Sequence, residues 1–450
     1  MKGKTPIQEQ GHLFGLQLSE MLNPKHELYI LADCISWKSI ENEFSSLYSN
    51  TGQPAKTIRL MSGLLLLKQM FNLSDEVVVG QWIQNPYYQY FCGESSFRWK
   101  MPCDPSDLVH FRKRIGEQGA EKIFSLSVKM HGLDVEKAKD ALIDTTAQEK
   151  NITFPTDSKH HRKIIDKCNQ IAKQEGIELR QTYTRTVKNL LIKLRFSRHP
   201  KKQKQAKSAM RHLKIIAGRQ IRDLKRNLSE EAFLRYQQRI EIYEKVLLQT
   251  RTSKNKIYSL HEPEVSCIAK GKSHKEYEFG SKVAFALIPR KNIIVGVVNF
   301  KGNPNDSTTL QETLQAAQRQ SNKVFENAIA DRGYRGNKLI GDTKIIIPGQ
   351  QKPKSEYQKQ KIKKKCRSRA AIEPVIGHLK SDCRMVRNYL KGSFGDSFNA
   401  IMAATAWNLR KYIQKIKAGF IFHLKFLQNI FSFKQIILFF LNSFSLKFSS

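Results

Sequence analysis

The hundred residues 158–257 carry 27 Lys and Arg against 8 Asp and Glu, with glycine only at Gly176 and Gly218. Within them Val187, Leu190, Leu191 and Leu194 recur at helical spacing. The flanking segments read as β-strands, so the fold must house a basic helical unit inside the chain of an α/β domain. A solvated face explains a short run of Lys and Arg, but not this density over such a length.

The bias extends to the whole chain, which has 77 Lys and Arg against 40 Asp and Glu and a formal charge of +37. Self-repulsion on that scale calls for a polyanion, and nucleic acid is the commonest one. An anionic membrane surface is the rival; a small acidic metabolite needs only a few cations. With 40% hydrophobic residues the chain can bury real cores and is not a disordered polymer. Seven scattered cysteines with no Cys-x-x-Cys pair argue against a disulfide framework or a zinc ribbon. The opening MKGKTPIQEQGHLFG lacks an apolar core of signal-peptide length. A cytoplasmic, nucleoid-associated protein is expected.

Residues 1–139 read as a helical N-terminal DNA-binding domain. An amphipathic helix over 57–71 breaks at Asn72, and Ser74 offers an N-cap for a second over 75–83. The pair resembles a helix-turn-helix, and a helical hairpin packing on itself fits equally well. Pro102, Pro105 and Ser106 precede another helix with Phe111-Arg112-Lys113-Arg114 on its basic side. Over 140–157, Ala141-Leu142-Ile143 is a strand ending at Asp144, Thr145-Thr146 is a turn, and 152–154 is the hairpin partner. Over 258–411 strands and helices alternate. A hairpin of 283–288 and 293–299 turns at Pro289-Arg290, and Ser307 or Thr308 caps a helix to about Arg319. Strands at 324–330 and 345–347 follow, then a lysine-rich loop (KPKSEYQKQKIKKKCRSR) and the last helices. The fold class is α/β: a mixed sheet formed by 140–157 and 258–411, split by the basic helical insertion 158–257 and preceded by the helical domain.

In so basic a chain, carboxylates after strands stand out. Asp144 and Asp331 each follow an apolar strand and precede a polar turn, and open α/β sheets gather their sites beyond strand ends. A lone strand-end Asp is most often a turn former or helix cap. Two such groups side by side repel unless a cation lies between them. Oxygen ligands without a His or Cys cluster favour Mg²⁺ or Mn²⁺ over zinc. Glu373 is the third candidate. Pro374 favours a helix starting there with Glu373 near its N-cap, or a kink; Lys380, seven residues on, lies close to the azimuth of Glu373. His160, His161, His274 and His378 fit no zinc spacing. The Gly333 and Gly336 pair reads as a turn, with a phosphate-cradling loop as the weaker alternative.

These residues lie in IDTTAQEKNITFPTDS (143–158), YSLHEPEVSCIAKGKSHKEYEFG (258–280), IADRGYRGNK (329–338) and RSRAAIEPVIGHLKSDCRMVRNYLKG (367–392). Together with QNPYYQYFCGE (84–94) and DPSDLVHFRKRIG (104–116), they resemble a DDE transposase of a bacterial insertion sequence, of the insertion-sequence-five type. The resemblance runs from about residue 12 to Arg410. It implies an RNase H-like catalytic core with Asp144, Asp331 and Glu373 as the catalytic, metal-holding acids. It also implies two Mg²⁺ ions (or Mn²⁺) as cofactor, with cleavage at the element's ends followed by 3′-OH transfer into target DNA. Arg369 and Lys380 are then expected to position phosphates, and Arg332, Arg335 and His378 to contact DNA. The implied partners are the terminal inverted repeats, target DNA and further copies of the chain. Two departures from the family pattern stand out: Cys366 where related signatures carry Tyr, and Thr308 where members often carry His. They keep open an inactive or domesticated DNA-binding protein, while a plain RNase H-like nuclease, which cuts without joining, is a third reading.

Residues 412–450 form an atypical Phe- and Lys-rich tail beyond the end of that resemblance. Its longest uncharged run, 435–446, is 12 residues, short of the roughly 20 that span a bilayer. Membrane association is not expected, and the tail reads as an extension past the family's usual end.

Overall fold

The computed structural model describes residue 3 and residues 16–49, 51–272, 275–336, 338–351 and 355–445. Helices α1 (Leu18–Met21), α2 (Glu27–Cys34), α3 (Trp37–Ser45), α4 (Ile58–Met70), α5 (Asp75–Gln84), α6 (Pro86–Phe91), α7 (Pro105–Lys129) and α8 (Leu133–Glu136) lead to strand β1 (Asp140–Glu149). Thr57 and Ser74 cap α4 and α5 by accepting from the Leu60 and Val77 amides. Nearly all of α4 is buried, Lys68 and Gln69 included. It is an enclosed core helix, not the amphipathic one its sequence suggests, and it has no free face to lay in a DNA groove. Asp104 forms a capping box on α7. Arg112 is not on a basic surface: it is buried and pairs with Asp75 at 2.8 Å, where Lys68 also arrives at 2.7 Å.

Helices α9 (Asp157–Gln174), α10 (Thr184–Arg195), α11 (Gln203–Asn227) and α12 (Glu230–Leu248) follow β1. They enclose an apolar cluster of their own that includes Ile164, Leu190, Leu213, Ile216, Leu224 and Ile240. The chain then forms β2 (Ser266–Lys272), β3 (Lys275–Ile288), β4 (Ile293–Phe300), α13 (Asp306–Ser321), β5 (Asn327–Ile329), β6 (Leu339–Ile340) and β7 (Thr343–Ile346). Last come α14 (Glu356–Ser368), α15 (Ile372–Asp382) and α16 (Gly392–Ser445). The sheet order is β2-β3-β1-β5-β7-β6, with β4 also on β3. Strand β1 runs antiparallel to β3 and parallel to β5, so the sheet is mixed. Its central residues Ala141, Leu142 and Ile143 are fully buried, as expected where both faces are covered. One core joins these strands to the N-terminal helices and to α13, α15 and α16.

Several local readings change. Strand β1 does not stop at Asp144 but runs on through Thr145 and Thr146, which pair with Ala284 and Val283. Its antiparallel partner is β3, not 152–154, because the long β3 offers a continuous apolar edge and β-branched Thr suits a strand. Helix α13 starts at Asp306 after Asn305, ahead of Ser307 and Thr308. The lysine-rich loop is largely helix α14, capped by Ser355 and without a buried residue. Glu, Gln, Lys and Arg are good helix formers, and reading the run by charge alone overlooked their propensity. The tail continues α16 as far as Ser445.

The β4 edge is closed by a side chain. Asn408 on α16 donates to the Ile294 carbonyl (2.8 Å) and accepts from the Ile294 amide (2.9 Å), standing in for one rung of a neighbouring strand. The Trp407 indole donates to the Asn292 carbonyl (2.7 Å) beside it. At the far end of β1, Lys150 is buried against Asp396 of α16 (2.8 Å). Asn408→Ala is expected to lose about 1–3 kcal/mol for each of the two Ile294 groups left bare. Denaturant unfolding measures this, and a loss below about 0.5 kcal/mol, the scale of a surface change, would show that the edge does not depend on Asn408.

Candidate active site

The site begins with register. In the parallel pair of β1 and β5, Leu142 lies opposite Ile329. Two residues further along each chain come Asp144 and Asp331. Strand β5 has ended by then while β1 continues, so Asp144 sits mid-strand at the height where its neighbour stops. Both acids thus reach one notch beyond the carboxyl end of β5.

Each acid is held differently. Asp144 accepts from the Thr145 amide (2.8 Å) and its side chain is mostly buried. Burial, helped by the charges of Asp331 and Asp306, raises its pKa from the ordinary 3.8 to about 6; the Thr145 amide and Arg369 oppose the rise. Asp331 caps the short 3₁₀ turn Arg332–Tyr334 by accepting from the Gly333 amide (2.8 Å). Glu373 stands in the first turn of α15, ahead of Pro374, with its side chain 62% exposed. Arg369 lies on a 3₁₀ turn between α14 and α15 and forks between two of the acids: 3.5 Å to Asp144 and 3.3 Å to Glu373. One guanidinium therefore gathers Glu373 to the Asp144–Asp331 pair.

Two residues in the same notch went unnoticed in the sequence. Asp306, in the first turn of α13, accepts from the Thr145 hydroxyl (2.8 Å) and from Lys282 (3.1 Å). Tyr334 is fully buried and its hydroxyl has no hydrogen-bond partner. Burial pushes the phenol well above its ordinary pKa and Asp144, Asp306 and Asp331 add to the shift, while the neighbouring Thr145 hydroxyl opposes it. The only sequence signal for Asp306 was an acid at the entry of a helix, where capping is the ordinary reading.

The remaining candidates are distributed around this notch. Lys380 is in the last turn of α15. Arg332 and Arg335 are exposed on the turn after Asp331, and no ion pair is recorded for either among the described residues. His378 is occupied within its own neighbourhood, bonded to Asp382 (3.0 Å) and stacked on Trp407. His160 and His161 are buried on α9 with unpartnered Nδ1 atoms; burial lowers both pKa values, that of His161 to about 4. His274 lies outside the described residues. A cavity of about 610 Å³ opens where β1 begins, lined by Lys137, Lys139, Arg290, Lys361, Lys364 and Lys365. Asp140 also lines it, whereas Asp144, Asp306, Asp331 and Glu373 do not.

The chemistry of the notch suits a hard divalent cation. Its donors are carboxylate oxygens, and like charges crowd there. Among the described residues no three acid, His or Cys side chains stand close enough to enclose an ion. Arg369 holds the place between Asp144 and Glu373.

Comparison with known families agrees in two segments. Residues 16–114 match the Transposase domain (DUF772) and residues 249–409 match the Transposase DDE domain. The second match contains Asp331 and Glu373; Asp144 lies between the two. The chain is 38% identical over 203 residues to "Uncharacterized protein ORF8 in nfe locus" of Rhizobium meliloti, covering 44% of this chain and 98% of that protein. No solved structure matches. The matched DDE domain implies an RNase H-like fold, and the mixed sheet around β1 is the part of the chain that can form it.

Because its folded-state pKa is raised, ionised Asp144 weakens the folded state. The penalty is absent below about pH 4, grows toward pH 6 and is complete above that. In EDTA, Asp144→Asn is expected to melt above the parent protein at pH 7.5, by roughly 2–4 °C for a change on the order of 1 kcal/mol. The gap should close as pH falls from about 6 to 4; a gap that is constant across that range, or reversed in sign, contradicts the assignment.

Proposed function

The chain belongs to the DDE transposases of insertion sequences, and from that membership we propose that Asp144, Asp331 and Glu373 are its catalytic acids. In this reading it is of the insertion-sequence-five type. The observation that carries the assignment is that Asp144 on β1 and Asp331 just past β5 are brought level by strand register, and that Arg369 bridges Asp144 to Glu373. The three carboxylates would hold Mg²⁺, or Mn²⁺ in its place. When bound, such an ion supplies Lewis acidity at phosphorus and lowers the pKa of water.

The chain's own groups do the rest. Ionised Asp144 and Asp331 provide the negative ligands, while the bonds from the Thr145 and Gly333 amides fix one oxygen of each and leave the other to the ion. Arg369, released from Asp144 and Glu373, turns its fork to a phosphate; Lys380, Arg332 and Arg335 are the further phosphate contacts, and His378 a lesser one. Hydrolysis forms a bond from water oxygen to phosphorus, breaks the bond to the 3′ oxygen and frees a 3′-OH. Strand transfer is the same in-line displacement, with that 3′-OH attacking target DNA and a target 3′ oxygen leaving.

The basic helices α9–α12 and the lysine-lined cavity supply sequence-independent affinity for the DNA backbone, which positions the duplex without reading it. The helical N-terminal region is the proposed reader of the terminal inverted repeats. Joining two ends of one element to one target calls for more than one active site, hence a homo-oligomer on DNA. Among the described residues no helix is long and apolar enough to cross a membrane, which is consistent with action on cytoplasmic, nucleoid DNA.

Purified protein incubated with a DNA duplex carrying the element's end, a target plasmid and Mg²⁺ tests the assignment. Glu373→Gln and Asp331→Asn should each lower cleavage and joining by about 10²–10³-fold or more, the scale of losing one preorganised charged group. Binding to the end duplex should persist. Unchanged joining in either variant would remove that acid from the site. For the parent protein, duplex affinity should fall by roughly 10³–10⁵ between 50 and 200 mM salt if six to ten phosphates are neutralised. A flat salt response would rule out the basic helices as a backbone clamp.

A further inference from the structure

We propose that Asp306 is a fourth carboxylate of the same cation site, presenting its second oxygen beside Asp331 across Gly333. The inference rests on the reading of Asp144 and Asp331 as metal-holding acids. It concerns a residue that reading leaves without a role.

Geometry singles Asp306 out from an ordinary helix cap. It stands at the first position of α13, a 16-residue helix, yet its carboxylate accepts from no helix amide among the described hydrogen bonds. Instead it turns toward the sheet. Oδ1 is engaged by the Thr145 hydroxyl (2.8 Å) and by Lys282 (3.1 Å), and Lys282 is itself fixed by the Pro304 carbonyl (2.6 Å). The Thr145 contact ties Asp306 to the residue next to Asp144. Oδ2 has no recorded hydrogen bond. It lies against Gly333: a Cβ built there would be 3.1 Å from Asp306 Oδ2 and 3.1 Å from Asp331 Oδ1. The two oxygens therefore flank one backbone position, where a Cβ would press on both and a carboxylate would have to give by a few tenths of an ångström.

A group of acids alone would not indicate a ligand. The second observation is Tyr334, the next residue along the chain. Its side chain is fully buried and its hydroxyl unpartnered, and Asp144, Asp306 and Asp331 all bear on it. Buried hydroxyls are nearly always bonded. One left open beneath three carboxylates fits an oxygen that arrives with a ligand, such as a water carried by the cation or a phosphate oxygen. Lys282 bonded at Oδ1 offsets part of the added charge and leaves Oδ2 for the ion.

The test uses the full chain without DNA and Mn²⁺ alone as the probe. Free Mn²⁺ is followed by electron paramagnetic resonance, and thermal unfolding is measured with and without the ion. Asp306→Asn is expected to weaken Mn²⁺ binding by about 10–100-fold, the range for groups that hold or orient a metal. It should also abolish Mn²⁺-dependent stabilisation, and Asp306→Glu should restore part of both. Asp331→Asn is the benchmark. If it weakens Mn²⁺ binding while Asp306→Asn binds as the parent does, this inference fails and the proposed acid site stands. If Asp331→Asn and Asp144→Asn also bind as the parent, the proposed site fails and takes this inference with it. Should Asp306→Asn not fold, Thr145→Val removes the hydroxyl that holds Oδ1 while retaining every carboxylate. Weaker Mn²⁺ binding in that variant supports the inference, and unchanged binding overturns it.

Discussion

The structure depends on a repulsion that it does not relieve by itself. Asp144, Asp331 and Asp306 are brought to one notch by strand register and helix entry, in surroundings dry enough to hold the Asp144 pKa near 6. Carboxylates so placed disfavour one another's ionised form. Arg369 and Lys282 each offset part of that charge. Under the proposed assignment a cation would relieve that repulsion, which would account for acids gathered in one notch of a chain of formal charge +37.

The scaffold keeps the notch from relaxing. Strand β1 is buried on both faces, and its far end is fastened by Lys150 to Asp396 at the start of α16. Helix α16 in turn closes the β4 edge through Asn408. Gln69 of α4 donates to the Cys383 carbonyl (2.8 Å), just past α15, the helix that carries Glu373. The N-terminal helices thus share a core with the sheet and bear directly on the elements behind the site. A structural change in that region would be transmitted through packed side chains instead of a flexible linker.

Much of this was legible in the sequence, though sometimes for the wrong reason. Asp144 stood out as a strand-end acid, yet β1 continues past it; what matters is that β5 stops at that height. Register between distant strands is a tertiary property that no local pattern reports. Pro374 correctly marked a helix start near Glu373, because its ring restricts the backbone wherever it stands. Charge density misled over α14, where propensity was the better guide, and over Arg112, whose charge is cancelled by Asp75 inside the core. Asp306 was invisible because an acid at a helix entry has an ordinary explanation, and only coordinates reveal that its carboxylate faces the other way. Tyr334 was hidden likewise, since burial of a phenol is decided by what packs over it.

The central claim is that Asp144, Asp331 and Glu373 share one divalent-cation site. Anomalous diffraction from crystals of the full chain soaked in Mn²⁺ addresses it directly. The predicted result is a peak within coordination distance of Asp144 and Asp331, with Arg369 withdrawn from between Asp144 and Glu373. Mn²⁺ bound elsewhere while Arg369 still bridges those two carboxylates would contradict it.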